Sequence, residues 1–434
     1  MRMGWRSIWR NYMQNSSSSL IPMVLIGILF FIFGFVTWLN GSLIPFLKLI
    51  CDLNDFQALF VTFAFYISYT VMAFPMALVL EKTGYKNGMA LGLGVMVVGS
   101  LLFIPAALSA NYLLFLTALF TLGTGLTILQ TASNPYIVLI GPPKSAAMRI
   151  SIMGLINKSA GVLVPLLFTA LILSDIPSLT NTNFSPQEIE NLASRLITPY
   201  IIMAVVLSAL IALVKFSSLP EISFEEGENS SDSIFAHPQA ILGALALFFY
   251  VGVEVIAGDT IGLYAQSLGV LNATALTSYT MIFMVMGYLV GVAFIPKFLS
   301  QERALLGSAT LGTLFIFAIA FSSTTSHSVS EVLWGWSGVA TLPNSVAFVA
   351  LLGLANALVW PTIWPLALEG LGKQSAKGSA LLIMAIAGGA ILPLVFGKIS
   401  EHLASMQEAY LFGLVCYSFI ALYALKWHKL RSWK

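Results

Sequence analysis

Long stretches of apolar residues, separated by short polar segments, recur along the whole chain. Each stretch holds about 20 residues, the length that an α-helix needs to cross the hydrocarbon core of a bilayer. A closed β-barrel is excluded, because its strands alternate polar and apolar residues. The pattern predicts twelve membrane-spanning helices, named spans 1 to 12: 22–47, 56–80, 87–109, 112–140, 150–173, 197–216, 240–266, 274–297, 303–322, 345–369, 377–399 and 404–426.

The composition supports this interpretation. Of the 434 residues, 58% are hydrophobic and 9% are charged, whereas about 25% are charged in an average soluble domain. Cys51 and Cys416 show no metal-ligand or redox spacing, and no glycine-rich phosphate loop, zinc motif or nucleophile elbow occurs. We therefore predict an all-α membrane protein that is not an enzyme. The formal charge of +2 gives no reason to expect a nucleic-acid partner.

Lysine and arginine residues lie mostly on one side of the predicted spans. If the amino terminus is cytoplasmic, only Lys48, Arg195 and Lys398 fall on the outer side, and Lys158 lies within a span. Because basic residues stay in cytoplasmic loops, we expect both termini to be cytoplasmic.

An acidic polar run at 221–233 has the composition of a flexible linker and divides the chain in two. Span 5 reads KSAGVLVPLLF at 158–168 and span 11 reads IAGGAILPLVF at 386–396, which aligns Gly161 with Gly389 and Pro165 with Pro393. This match suggests duplicated halves, as in one large class of transporters. The predicted parts are a poorly ordered cytoplasmic segment (1–21), an N-terminal six-helix half (22–216), a cytoplasmic linker (217–239) and a C-terminal six-helix half (240–434).

Three ionisable residues lie well inside the predicted spans: Lys158 in span 5, and Glu254 and Asp259 in span 7. An ionised acid at the centre of a spanning helix costs roughly 2.5 to 3.5 kcal/mol, so it should be paired, protonated or exposed to a water-filled cavity. One interpretation is a structural ion pair between Lys158 and either acid. The interpretation that we favour is that these charges line a transport pathway, with Glu254 as the first candidate to bind the coupling ion, H⁺ or Na⁺, and Asp259 as the second.

Amide side chains form the second group of candidates. Asn40 lies in span 1, Gln130 and Asn134 lie one turn apart in span 4, and Asn157 lies in span 5. Amides offer donors and acceptors to sugar hydroxyls without net charge. The alternative for each of them is a hydrogen bond between helices.

Aromatic residues complete the predicted sugar site. Asn356, Trp360 and Trp364 follow at i, i+4 and i+8 in span 10, and Tyr250 lies one turn before Glu254 in span 7. An indole ring packs against the apolar face of a pyranose, and its N–H can donate to a hydroxyl. Such stripes also serve helix packing or interfacial belts, which is the alternative here.

Four segments resemble the fucose–galactose–glucose symporter family of the major facilitator superfamily. They are GFVTWLNGSLIPFLK (34–48), LQTASNPYIVLIGP (129–142), FFYVGVEV (248–255) and WPTIWPLALEGLGKQSAKGSALLIMAIAGGAILP (360–393). The resemblance implies twelve helices in two six-helix halves, a central sugar site and alternating access by rocking of the halves.

The resemblance also marks two departures. Fucose permease has an acid after its span-one Leu-Asn pair, where this chain has Gly41, and a glutamate where this chain has Gln130. Asn157 matches the family's span-five asparagine but is followed by Lys158, and Glu254 matches the acid of glucose/galactose members, including sodium-dependent ones. We infer that ion coupling has moved to Glu254, with Lys158 standing in for a cation of the N-terminal half.

The sequence therefore predicts a monomeric, multi-pass transporter of a bacterial inner membrane that imports a glucose- or galactose-type hexose by H⁺ or Na⁺ symport. No cofactor other than the coupling ion is expected. Facilitated diffusion and a membrane sugar sensor that does not transport are the alternatives.

Overall fold

The protein is described here from a computed structural model that covers residues 5–139, 146–173, 184–217, 219, 234–295, 298–371 and 375–433. The side chains of residues 5–21 and of Asn134 lie outside the described part. The described residues form helices joined by short connections, and twelve of these helices are long and apolar enough to cross a membrane. The predicted all-α fold with twelve spans is confirmed.

The described residues of the first half form eight α-helices. They are α1 (Trp5–Trp38), α2 (Asn40–Ile50), α3 (Asp55–Ala58), α4 (Phe60–Ser109), α5 (Tyr112–Leu139), α6 (Ala146–Ile172), α7 (Pro186–Ser194) and α8 (Ile197–Phe216). Span 1 consists of α1 and α2, spans 2 and 3 lie in α4, and spans 4, 5 and 6 are α5, α6 and α8.

Eleven further α-helices are formed by the described residues of the second half. They are α9 (Pro238–Asp259), α10 (Ile261–Ser267), α11 (Thr277–Phe294), α12 (Gln301–Phe321), α13 (Ser328–Trp334), α14 (Asn344–Asn356), α15 (Val359–Leu368), α16 (Ser375–Met384), α17 (Gly388–Leu403), α18 (Met406–Ala409) and α19 (Gly413–Leu425). Span 7 consists of α9 and α10, span 10 of α14 and α15, and span 11 of α16 and α17.

Two expectations about connections need correction. The segment 1–21 was expected to be poorly ordered, but α1 begins at Trp5, and no proline or glycine lies between Trp5 and Ile21 to end a helix. The loop expected between spans 2 and 3 is reduced to a kink at Gly84, whose φ of 72° is readily adopted only by glycine. Most of the predicted linker lies outside the described residues.

Spans 1, 7, 10 and 11 each divide into two α-helices. Span 1 is interrupted at Leu39, span 7 at Thr260, span 10 at 357–358 and span 11 at 385–387. The break in span 10 has a local cause, because Pro361 donates no hydrogen bond and its ring clashes with the carbonyl of Ala357. It separates Asn356 from Trp360 and Trp364, whose ring centroids lie 5.5 Å apart.

The two halves meet in a matching way around span 5 and span 11. A Cβ atom added to Gly161 in span 5 would lie 2.6 Å from Trp38 of span 1 and 2.9 Å from Met281 of span 8. One added to Gly389 in span 11 would lie 3.0 Å from Val255 of span 7 and 3.1 Å from Tyr66 of span 2. Span 1 beside Gly161 corresponds to span 7 beside Gly389, and span 8 beside Gly161 corresponds to span 2 beside Gly389. This correspondence is expected of duplicated halves.

The halves also touch at the end of the bundle that lies away from the chain termini, here called the distal seam. Ser42 Oγ donates to the Thr274 carbonyl at 2.6 Å, and the hydroxyls of Thr169 and Thr274 are 2.8 Å apart. Ser278 Oγ donates to the Val162 carbonyl at 2.7 Å. Hydrogen bonds from spans 1 and 5 to the start of span 8 thus hold this end closed.

Candidate functional site

The site is built around an ion pair between the two halves. Lys158 Nζ of span 5 lies 2.7 Å from Glu254 Oε1 of span 7, and their side chains are only 10% and 9% exposed. Lys158 lies near the middle of α6, and Glu254 lies in the second half of α9, before its end at Asp259. Of the two predicted partners for Lys158, the structure selects Glu254.

Span 1 provides one wall of this site. Lys158 Nζ lies 4.3 Å from the centre of the Trp38 ring, a cation–π contact worth about 0.5 to 2 kcal/mol. Trp38 Nε1 donates to Asn157 Oδ1 at 3.4 Å, and Asn157 Nδ2 donates to the Phe30 carbonyl at 3.4 Å. Asn157 is partly exposed, so it has surface from which to reach a ligand.

Spans 2 and 4 provide a second wall. Gln130 Nε2 donates to the Tyr69 hydroxyl at 2.9 Å, and the Tyr69 ring stacks on Tyr66 with centroids 6.3 Å apart. Tyr66 in turn lies within electrostatic range of Glu254. Gln130 is partly exposed whereas both tyrosines are buried. This wall connects the predicted amide of span 4 to the ion pair.

Aromatic rings of spans 7 and 10 form the opposite wall. Tyr250 is within electrostatic range of Glu254, and its ring centroid lies 6.4 Å from that of Trp360. Trp360 and Trp364 are 5.5 Å apart and both are partly exposed. Trp364 Nε1 is buried and has no hydrogen-bond partner among the described residues. The two indole rings are therefore in contact with each other, and the Trp360 ring is next to Tyr250, which neighbours Glu254.

The remaining predicted residues lie in different surroundings. Asn356 is fully buried, and its Oδ1 accepts a hydrogen bond from the Tyr417 hydroxyl at 2.7 Å. Asn40 is also fully buried, at the start of α2 near the distal seam. The side chain of Asn134 lies outside the described residues.

Asp259 makes no direct contact with the Lys158–Glu254 pair among the hydrogen bonds and ion pairs of the described residues. It is fully buried, and its Oδ2 accepts a hydrogen bond from Thr62 Oγ1 of span 2 at 3.3 Å. Lys158 and Glu254 are within its electrostatic range. The two acids of span 7 thus both contact the N-terminal half, but through different spans.

The described residues contain no group of three or more histidine, cysteine, aspartate or glutamate side chains that could hold a metal ion. A cation would therefore depend on one carboxylate with neutral oxygen ligands. This describes the surroundings of Asp259, whereas Glu254 has the Lys158 ammonium beside it.

Sequence reasoning missed several contributors: Trp38, Thr62, Tyr66 and Tyr69. All four lie in apolar stretches where aromatic and hydroxyl residues are ordinary, and none is ionised. Gln130 and Tyr69 are 61 positions apart in the sequence, and Thr62 and Asp259 are 197 positions apart. The sequence alone therefore does not indicate that these residues are in contact. Only the TWLN segment around Trp38 gave a signal, because it precedes the predicted Asn40.

A family model described as Major Facilitator Superfamily matches residues 26–393. A protein of Brucella abortus named glucose/galactose transporter is 32% identical over 406 residues, covering 92% of each chain. The L-fucose–proton symporter of Escherichia coli is 29% identical, covering 94% of this chain and 93% of that protein.

Solved structures match over nearly the full length. A major facilitator transporter crystallised in the outward conformation superposes with a TM-score of 0.71 and 26% identity, covering 94% of this chain and 98% of the other. A proton:xylose symporter, at 13% identity, has a TM-score of 0.68 with 94% and 95% coverage and shares the fold.

Proposed function

Because this chain belongs to the fucose–galactose–glucose symporter family of the major facilitator superfamily, we propose that it imports a glucose- or galactose-type monosaccharide by symport with a cation. Relatives named glucose/galactose transporter and L-fucose–proton symporter support this choice of substrate class and of symport. The orientation with both termini in the cytoplasm, the division into two halves around residues 217–239 and the monomeric state are parts of the same proposal.

The observation that carries the proposal is the buried Lys158–Glu254 pair, which joins span 5 to span 7 across the halves. When one half rocks against the other, the distance between these spans changes, so the pair has to loosen or re-form. A proton or Na⁺ on Glu254 would weaken its attraction for Lys158 and shift the balance between conformations. Glu254 is therefore the proposed coupling acid and Lys158 its exchange partner.

The proposed sugar contacts lie around this pair. Gln130, Asn157 and Trp360 are partly exposed and belong to three different spans. The amides would bind hydroxyls, and the Trp360 ring would pack against the apolar face of the sugar. Tyr250, which is buried beside Glu254, would orient the carboxylate.

The other predicted sugar contacts have weaker support. The oxygen of Asn356 is engaged by Tyr417, which fits a packing role. Asn40 lies at the distal seam, and Trp364 lies behind Trp360. Asn134 is kept as a candidate on its helical spacing from Gln130 alone.

Uptake of labelled glucose into proteoliposomes tests the proposal. The native protein should accumulate sugar under an inward gradient of one cation, H⁺ or Na⁺, and only equilibrate without one. Glu254→Gln should abolish accumulation while exchange of labelled for unlabelled sugar continues. Glu369→Gln is the matched control, because Glu369 is exposed and bonds Arg431 at the bundle surface.

Two outcomes would contradict the proposal. Equal, non-accumulating uptake under every gradient would make the protein a facilitator and the ion pair a structural contact. Absence of uptake for glucose, galactose, fucose and mannose alike would contradict sugar transport itself.

A further inference from the structure

Span 7 carries a second buried carboxylate, and its charge is not balanced by the ion pair. Asp259 is fully buried, and its Oδ1 has no hydrogen-bond partner among the described residues. In the described part of the chain, the ion pairs of lysine and arginine are with other acids. A buried carboxylate without a counter-charge is costly, so either a proton or a cation bound from outside the chain would stabilise it.

Two interrupted helices end beside this carboxylate. The first helix of span 1 ends at Trp38 and the first helix of span 7 ends at Asp259. A Cβ atom added to Gly258 would lie 2.5 Å from Trp38 Cζ3, and one added to Gly41 would lie 3.1 Å from the Gly258 carbonyl. The two carboxyl ends are therefore side by side. The Gly258 carbonyl accepts a hydrogen bond from Thr277 Oγ1 at 2.8 Å and the Ala257 carbonyl accepts one from Thr280 Oγ1 at 3.3 Å. These last carbonyls are engaged within the chain, so the candidate ligands at this place are side chains.

Asn40 is a second buried side chain without a hydrogen-bond partner among the described residues, and it lies where span 1 meets span 7. Asn40 is fully buried, and neither Oδ1 nor Nδ2 has a hydrogen-bond partner within the described residues. It directly precedes Gly41, which packs against the residue preceding Asp259. Two buried polar groups without partners in adjoining helix breaks are unusual, because buried polar groups are normally hydrogen-bonded.

Span 2 adds a third oxygen. Thr62 is fully buried, and its hydroxyl lies 3.3 Å from Asp259 Oδ2. Carboxylate, hydroxyl and amide oxygens are the ligands that hard cations prefer. The junction therefore combines net negative charge with neutral oxygen donors.

We propose that Asp259, Thr62 and Asn40 form a Na⁺ site at the junction of spans 1, 2 and 7. The proposal rests on the symport function, and it adds a Na⁺ site beside Asp259 to the coupling role proposed for the Lys158–Glu254 pair. Two of the ligands come from the N-terminal half and one comes from the C-terminal half. Bound Na⁺ therefore favours the closed distal seam, and its charge acts on Glu254 and Lys158 within electrostatic range.

Direct binding of ²²Na⁺ to the purified full-length protein in detergent tests the site without relying on transport. The native protein should bind Na⁺, and Asp259→Asn should lose this binding. Thr62→Val should weaken binding about tenfold or more, as the loss of a residue that supports a metal site does, and Thr62→Ser should restore it. Elution of Thr62→Val as a single monodisperse peak and recovery of binding in Thr62→Ser show that its loss of binding is not misfolding.

Matched variants separate this site from the other groups. Thr169→Val removes a seam hydroxyl that bonds Thr274 rather than Asp259, and it should bind Na⁺ normally. Glu254→Gln should also retain Na⁺ binding. Binding that survives Asp259→Asn but is lost in Glu254→Gln would overturn the proposal, and so would a native protein that binds no Na⁺ and accumulates sugar with H⁺ alone. Normal Na⁺ binding without transport of any sugar would contradict the proposed function and leave the site standing.

Discussion

Glu254 and Asp259 lie five residues apart on one helix, yet their buried carboxylates have different partners. Glu254 has a fixed cation, Lys158, at 2.7 Å. Asp259 has a single hydroxyl, that of Thr62, at 3.3 Å, and one oxygen without a partner among the described residues. At about 100° per residue, their side chains leave the helix in different directions, toward span 5 and span 2 respectively.

Glu254 therefore has its counter-charge within the chain, whereas Asp259 would take one from a bound proton or cation. The charge of Glu254 is balanced by Lys158 in this conformation, so breaking the pair leaves a buried charge uncompensated. The charge of Asp259 is not balanced by any lysine or arginine of the described residues, so neutralising Asp259 removes a cost rather than a contact. The following predictions test this contrast.

Lys158→Met should have the largest effect, because it leaves Glu254 buried without its partner. Removing one member of a buried ion pair costs about 3–5 kcal/mol. The thermal unfolding temperature in detergent should fall accordingly. Lys398→Met is the control, since the Lys398–Glu401 pair is exposed and such pairs contribute at most about 1 kcal/mol. Equal losses in the two variants would contradict the account.

Glu254→Gln and Asp259→Asn should differ in a sodium-free buffer. Glu254→Gln removes the counter-charge of Lys158 but leaves an amide oxygen that can accept a hydrogen bond from the ammonium, so we expect a smaller loss of about 2 kcal/mol. Asp259→Asn strands no charge, so its unfolding temperature should stay level or rise. Thermal unfolding of both variants beside the native protein checks this order. A larger loss for Asp259→Asn would show that its carboxylate has a counter-charge.

Thr62→Val should have the smallest effect on stability. It removes one long hydrogen bond to Asp259, and a net hydrogen bond contributes about 0.5–1.5 kcal/mol. Thermal unfolding in potassium buffer should show a change within this range, and Thr62→Ser should show less. A loss as large as that of Lys158→Met would indicate that Thr62 stabilises the seam in some further way.

Much of this contrast could be predicted from the sequence. Twelve spans follow from hydrophobicity, and Lys158, Glu254 and Asp259 stand out because charges are costly in a membrane. The sequence did not choose between the two acids as partner of Lys158. That choice depends on how spans 5 and 7 are rotated against each other, which helical periodicity within one span does not determine.

The helix breaks show the same limit. Pro361 gives a local reason for the break in span 10, but no proline lies next to Leu39 or Thr260. Those breaks lie where span 1 meets span 7 through Gly41 and Gly258. In span 10, the break at 357–358 separates Asn356 from Trp360 and Trp364, and their joint role in sugar binding stays a prediction.

The proposed mechanism requires Lys158 and Glu254 to exchange partners during transport. The most direct test is the double variant Lys158→Met/Glu254→Gln, in which neither side chain is left with an uncompensated charge. Accumulation of labelled glucose under the coupling gradient and sugar exchange at equal gradients are measured in the same proteoliposomes. The account predicts that the double variant exchanges sugar but does not accumulate it. Accumulation at the native level would show that the pair serves structure alone and would contradict the account.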